Sequence, residues 1–133
     1  MNLEIEVILR LLLATALGAG IGYQRERASK PAGLRTHSLI ALGAALFTVA
    51  SIFGFGNEVD PSRVAAGVVA GIGFIGAGVI FRTSGAWVAG LTTAASIWVT
   101  AAVGMAAGAG MYLISLFGAL IAAGVLLIPK LRE

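Results

Sequence analysis

The chain has 133 residues, of which 59% are hydrophobic and only 11% are charged, and its mean hydropathy is +0.98. A soluble domain of this size cannot bury so much apolar surface, so the composition indicates an integral membrane protein whose backbone polar groups are satisfied inside helices. The apolar runs are longer than the alternating segments of about ten residues that build a β-barrel, which excludes that class. Because cysteine is absent, disulfides, thiolate metal sites and cysteine nucleophiles are excluded as well.

Five apolar stretches follow one another along the chain, and each is near the ~20 residues that a helix needs to cross the hydrocarbon. They cover residues 5–23, 37–55, 63–81, 89–107 and 111–128. We therefore predict an all-α fold of about five transmembrane helices in a single polytopic membrane domain. One long interrupted helix is the alternative for the last two stretches, but their combined length of roughly 40 residues favours a turn between them.

Charged residues are distributed unevenly between the two sides of this predicted bundle. Four basic residues fill the first loop, and further ones lie in the third loop and the tail: Arg25, Arg27, Lys30, Arg35, Arg82, Lys130 and Arg132. The opposite side carries four acids and only one arginine: Glu4, Glu6, Glu58, Asp60 and Arg63. The positive-inside rule then places the amino terminus outside and the carboxyl terminus in the cytoplasm. The net charge of +3 is explained by topology, so we expect a bilayer and no nucleic acid as its partner.

Two near-copies of one phrase, Gly33-Leu-Arg-Thr and Gly90-Leu-Thr-Thr, each open an apolar segment after a short loop. A shift of 57 positions aligns them and also aligns three later residues of each segment. We predict that helices one and two and helices three and four form a parallel internal repeat, with helix five added. The repeat would bring Thr36 and Thr93 to corresponding corners on the cytoplasmic face. A shared polar site at these corners is a hypothesis, and simple helix capping is its alternative.

Glycines at a spacing of four residues predict close helix contacts in the membrane. The candidate packing residues are Gly18, Gly22, Gly67, Gly71 and Gly78. The spacing leaves open whether they pack helices within one chain or between two copies.

The segment from Gly71 to Gly76 also matches the GxGxxG dinucleotide pattern, but it lies inside an apolar span with no strand before it and no acid about 20 residues later. We therefore expect no cofactor.

Polar residues at membrane depth and beside the corners are the candidate functional residues. They are Arg10, Glu26, Arg35, Thr36, His37, Arg82, Thr92, Thr93 and Ser96. Arg10 follows Glu6 by one turn, so a structural ion pair competes with a role toward a substrate or an interface. Thr93, Ser96 and Thr100 share a helix face, where they either bond to backbone carbonyls or line a polar path.

Neither a metal site nor an active site is predicted from these residues. Glu26 is the only acid in the loops of the predicted inner face, whereas Mg²⁺ requires several oxygen ligands. An enzyme that used Glu26 and His37 as acid and base would also need a nucleophile and a defined pocket. We therefore expect a protein without catalytic activity.

Several of these motifs, in the same order, resemble those of the MgtC/SapB family of bacterial inner-membrane proteins. The motifs that carry the resemblance are Leu9–Leu12, Gly22–Arg27, Ala32–His37, Asp60-Pro61, Gly71–Gly78 and Gly90–Trp98. The resemblance implies a membrane domain of about five spans and a regulatory role in growth under magnesium limitation, in stress adaptation and, in pathogens, in virulence. We expect such a non-enzymatic regulator to act by docking on another membrane protein or by self-association. Transport of a small solute or an ion, including Mg²⁺, is the alternative.

The sequence also departs from the family pattern. Many relatives carry an acid at the position of Gln24, and more polar residues at those of Gly67 and Ala70. Many also append a soluble cytoplasmic domain of the ACT-like type, whereas this sequence stops at Glu133. A naturally short member and a truncated chain are both open, so regulation through such a domain is not predicted from this sequence.

Overall fold

The computed structural model describes residues 2–82 and 90–129, without the side chains of residues 81 and 82. Five α-helices make up this part of the chain: α1 (Leu3–Arg27), α2 (Leu34–Phe53), α3 (Ser62–Arg82), α4 (Leu91–Gly108) and α5 (Tyr112–Leu126). The first four are long and apolar enough to cross a membrane, whereas α5 is an apolar helix of 15 residues. The all-α membrane fold is confirmed. The equivalence of α1–α2 with α3–α4 stays a prediction.

Helix ends are set by local polar residues and by glycine. The side chain of Asn2 accepts a hydrogen bond from the backbone N–H of Glu4 and so caps α1. At the start of α3, Asp60 accepts hydrogen bonds from the backbone N–H and the hydroxyl of Ser62, at 2.9 and 2.7 Å. These two bonds hold the pKa of the Asp60 carboxyl below its usual value. Gly110 has φ +85°, which permits the tight turn that separates α4 from α5.

The centre of the fold is α2, which packs between α1 and α4. If Gly18 of α1 carried a Cβ atom, as every other residue type does, that atom would lie 2.6 Å from the carbonyl oxygen of His37. A Cβ atom on Gly22 would lie 2.7 Å from the carbonyl oxygen of Gly33. From α4, a carbon atom on Gly108 would lie 2.7 Å from the carbonyl oxygen of Ala45. These distances leave no room for side chains, so backbone meets backbone along the core.

Helix α5 covers the side of the core formed by α1 and α4. Its buried residues Ala119 and Ala122 form one apolar cluster with Ile21 of α1 and Val103 of α4. Small residues again allow the close approach, because lipid supplies no hydrophobic drive between helices.

Helix α3 lies at the edge of the bundle and is mostly exposed. Carbon atoms built on Gly67, Gly71 or Gly78 would meet no other atom within 4 Å in the described part of the chain. An apolar groove of about 660 Å³ lies between parts of α3 and α2, and a smaller one of about 310 Å³ lies between parts of α3 and α4. The α3 glycines therefore do not make, within the described residues, the close contacts that Gly18 and Gly22 make.

Candidate functional site

A buried polar cluster joins three helices at the end of the bundle that carries the first loop. It consists of Arg25 from the last turn of α1, His37 from the first turns of α2, and Thr93 and Ser96 from the first turns of α4. All four are buried among apolar and small residues, and His37 has no exposed surface. We call this group the Arg25 cluster.

A chain of contacts runs through the Arg25 cluster, made of hydrogen bonds and, within Thr93, of the covalent bonds between its carbonyl and its hydroxyl. His37 Nδ1 lies 2.9 Å from the carbonyl oxygen of Gly33, and His37 Nε2 lies 2.9 Å from the hydroxyl of Ser96. Ser96 lies 2.7 Å from the carbonyl oxygen of Thr93, and the hydroxyl of Thr93 accepts a hydrogen bond from Arg25. The chain therefore links the backbone of α2 to a guanidinium of α1 through two residues of α4.

The number of hydrogen atoms in this chain depends on the protonation of His37. Ser96 has one hydroxyl hydrogen, and a neutral imidazole has one N–H. With neutral His37 donating to Gly33, the Ser96 hydroxyl donates either to Nε2 or to the Thr93 carbonyl, but not to both. An imidazolium donates from both ring nitrogens and frees Ser96 to donate to Thr93. All three contacts are hydrogen bonds at once only when His37 is charged.

Arg25 is the unusual member of the cluster because its charge is buried and has no counter-ion among the described residues. It is 5% exposed, and no described carboxylate forms an ion pair with it. Its Nε–H group is buried and has no hydrogen-bond partner in the described part of the chain. A buried charged donor left unpaired is costly, so this atom marks the least satisfied point of the core.

The other candidate residues near the start of α2, the first of the two predicted corners, lie outside the Arg25 cluster. Glu26 lies on the surface, where its carboxylate accepts the backbone N–H of Leu34 at 3.0 Å and so caps α2. Arg35 and Thr36 are exposed, although Thr93, the predicted counterpart of Thr36, is buried. The two corners therefore have unlike surroundings.

The remaining residues of the second corner belong to α3 and α4. Thr92 is half-buried in the first turn of α4. Arg82 ends α3, but its side chain lies outside the described residues. The structure thus brings His37, Thr93 and Ser96 together, and it does not bring Glu26, Arg35 or Thr36 to them.

Arg10 lies at the opposite end of the bundle in a separate polar group. Its guanidinium pairs with Glu6 at 2.6 Å, donates to the carbonyl oxygen of Gly108 at 2.9 Å and to the hydroxyl of Tyr112 at 3.2 Å. The guanidinium carbon also lies 5.3 Å from the ring centre of Phe53. Its charge is compensated by Glu6, and its contacts connect α1 with α2, α4 and α5.

Two features of this core were missed by sequence reasoning. Arg25 was assigned only to topology, yet it follows Gly18 and Gly22 by seven and three residues, the spacing of one helix face. Gly104 and Gly108 are another pair at a spacing of four, and they pack against α2. Both signals were present in the helical periodicity.

Comparison with known proteins assigns this architecture to a family. Residues 11–132 match the model of the MgtC family, which is nearly the whole chain. The chain belongs to the MgtC family. The family assignment agrees with the motif resemblance and with a multi-pass membrane protein. No solved structure matches the chain.

Several relatives in the MgtC family are similar to this chain over most of its length. "Putative magnesium transporter YhiD" of Escherichia coli strain K12 is 50% identical over 121 residues, which cover 85% of this chain and 55% of the relative. Protein SapB of Bacillus subtilis strain 168 is 42% identical over 114 residues, covering 80% and 49%. Protein MgtC of Brucella abortus strain 2308 is 51% identical over 98 residues, covering 74% and 40%. The chain therefore spans about half the length of these relatives.

Proposed function

We propose that this chain is a non-enzymatic regulator in the bacterial inner membrane that contributes to magnesium homeostasis by binding a transmembrane helix of another membrane protein or of a second copy. The link to magnesium rests on family membership and on the Escherichia coli relative named "Putative magnesium transporter YhiD". The proposed mode of action rests on the face of α3 that carries Gly67 and Gly71, which no other described helix covers.

The contrast between α3 and the other helices carries this proposal. Gly18 and Gly22 fill their side of the core with direct backbone contact, whereas Gly67 and Gly71 border an open apolar groove of about 660 Å³. In lipid, helices associate through close packing of small residues. A partner helix seated on α3 would gain the contact that α1 already makes with α2.

Transport of magnesium is the second candidate, and it is favoured by the name of the Escherichia coli relative. The electrostatics of the described core argue against a path for this ion. Arg25 places buried positive charge at the end of the bundle that carries the first loop, Arg10 at the other end is paired with Glu6, and α2 is in backbone contact with α1 and α4 between them. A divalent cation would approach like charge at the Arg25 end and would find a close-packed core beyond it.

The two candidates are separated by substitutions on α3. Gly67→Leu and Gly71→Leu insert side chains into open space, so the fold of the single chain should persist while helix docking is blocked. Both variants should lose growth under magnesium limitation in a strain that depends on this gene. Gly124→Leu on α5 is the matched control, because a carbon atom there also meets no atom within 4 Å in the described part of the chain.

Two results would contradict the proposed regulatory role. Wild-type growth of both α3 variants at equal protein level would remove docking on α3 as the mode of action. Magnesium uptake by liposomes that contain only the purified chain, absent from protein-free liposomes, would instead establish the transporter.

A further inference from the structure

We propose that Arg25 is the anchor of an anion site, which binds a phosphate-type oxyanion at the end of the bundle that carries the first loop. The site is separate from the α3 face and does not depend on what α3 binds. Its starting observation is the buried guanidinium whose Nε–H has no hydrogen-bond partner in the described residues.

The charge balance around Arg25 is incomplete. The chain has six acids, of which Glu6 pairs with Arg10 and Glu26 caps α2. The last turn of α1 supplies partial negative charge to Arg25 from its carbonyl end. The contact with Thr93, however, places the same guanidinium at the amino-terminal turn of α4, where the helix dipole is positive. The two dipole ends oppose each other, which leaves a buried unit charge to be neutralised.

An anion bound at this point would remedy both deficits. It would supply the missing acceptor for Nε–H and the missing negative charge, and the amino-terminal end of α4 would attract it as well. The planar fork of a guanidinium matches the oxygens of phosphate better than a spherical halide. Lys30 and Arg35 are exposed at the same end and raise the local concentration of anions.

The chemistry is shared by two sources, free inorganic phosphate and the phosphate of an anionic lipid headgroup. The full chain, purified in a phosphate-free maltoside detergent, should be titrated calorimetrically with inorganic phosphate at constant ionic strength set with chloride. In parallel, phosphatidylglycerol should be added at increasing ratios while the thermal midpoint and the bound lipid, counted by native mass spectrometry, are followed. Saturable binding in either arm supports the site and identifies its source.

Matched variants test whether Arg25 is responsible. Arg25→Gln should lower the affinity for the species that binds, phosphate or lipid, at least about tenfold, because a charge-assisted hydrogen bond is lost. Arg27→Gln removes an exposed charge two residues away and should change affinity by less than about twofold, because exposed charges are screened. If Arg25→Gln does not fold, Thr93→Val provides the second variant, since it keeps the charge and removes the hydroxyl that orients it.

Either of two results would overturn the proposal. One is the absence of saturable binding to the wild-type chain in both arms. The other is an equal loss of affinity in Arg27→Gln and in the Arg25 or Thr93 variants, which would assign the binding to general surface charge.

Discussion

Gly104 of α4 lies directly on the backbone of Ala41 in α2, so that a carbon atom built on Gly104 would be 2.8 Å from the Cα of Ala41. Gly18 of α1 reaches the same alanine from another side, at 2.7 Å from its Cβ by the same measure. Ala41 is completely buried. Helices α1, α2 and α4 therefore meet at Ala41. Only glycine, which has no side chain, fits opposite this residue on α1 and on α4.

Gly104→Ala should destabilise the bundle by about 1–3 kcal/mol, the usual cost of extra carbon atoms in a packed core. The reason is that the opposing atoms are backbone and cannot move aside as a flexible side chain does. The measurement is reversible unfolding in mixed micelles. Gly20→Ala on α1 is the control, because its new methyl group meets no atom within 4 Å in the described part of the chain. Equal stability of the two variants would mean that α2 and α4 are not in contact.

The ion pair at the other end of the bundle should show energetic coupling. Arg10→Leu removes the partner of Glu6 and also leaves the carbonyl of Gly108 without its donor. A double-mutant cycle with Glu6→Gln should give a coupling energy in the unfolding free energy that differs from zero, because the two residues are in direct contact. Arg63→Gln, at an exposed position, should stay within about 0.5 kcal/mol of wild type. Additive effects of Arg10→Leu and Glu6→Gln would contradict the pair.

The sequence predicted most of the fold and only part of the polar cluster. Apolar length alone places the helices, because a bilayer imposes nearly one length on every span. It does not determine which glycine faces meet: Gly18 and Gly67 have the same spacing to a partner glycine, yet only Gly18 contacts another helix in the described structure. The cluster depends on rotation about the helix axes, so His37 is buried while its neighbour Thr36 is exposed. That rotation follows from packing, which one sequence does not encode locally.

The start of α3 should depend on pH through Asp60. Hydrogen bonds from Ser62 hold the pKa of the folded carboxyl below its ordinary value, so the stabilisation is complete above the ordinary pKa and is lost as the pH falls through the folded one. Asp60→Ala should therefore lower the thermal midpoint at neutral pH. The difference from wild type should shrink as the pH is taken toward 3, as measured by circular dichroism. A difference that is constant with pH would exclude the charged cap.

Orientation in the membrane is predicted from charge and is open to direct measurement. Ser29→Cys lies in the first loop and Glu58→Cys lies between α2 and α3, so the two report on opposite sides. An impermeant maleimide added to intact spheroplasts should label position 58 and not position 29, because the basic first loop is expected in the cytoplasm. Labelling of both after permeabilisation is the control. Labelling of position 29 in intact spheroplasts would reverse the predicted topology.

The final prediction distinguishes a functional polar site at the two corners from residues that only cap helices. The structure puts Thr93 inside the Arg25 cluster, Glu26 at a helix cap and Arg35 on the surface. If the anion site proposed at Arg25 contributes to growth under magnesium limitation, Thr93→Val should abolish that growth while the amount of membrane-inserted protein stays near wild type, because the Thr93 hydroxyl orients the guanidinium. Glu26→Gln retains an oxygen acceptor for the cap and should keep both growth and protein level.

Arg35→Ala is the matched charge-removal control and should also behave as wild type in this assay, because Arg35 is exposed and outside the cluster. Protein level measured beside growth distinguishes loss of function from loss of folding. If Thr93→Val lowers growth only in proportion to its folded amount, the cluster holds α1, α2 and α4 together and has no separate function. If all three variants lose growth at normal protein level, the working surface is instead the whole loop-bearing end of the bundle, and the distinction drawn here between Thr93 and its exposed neighbours fails.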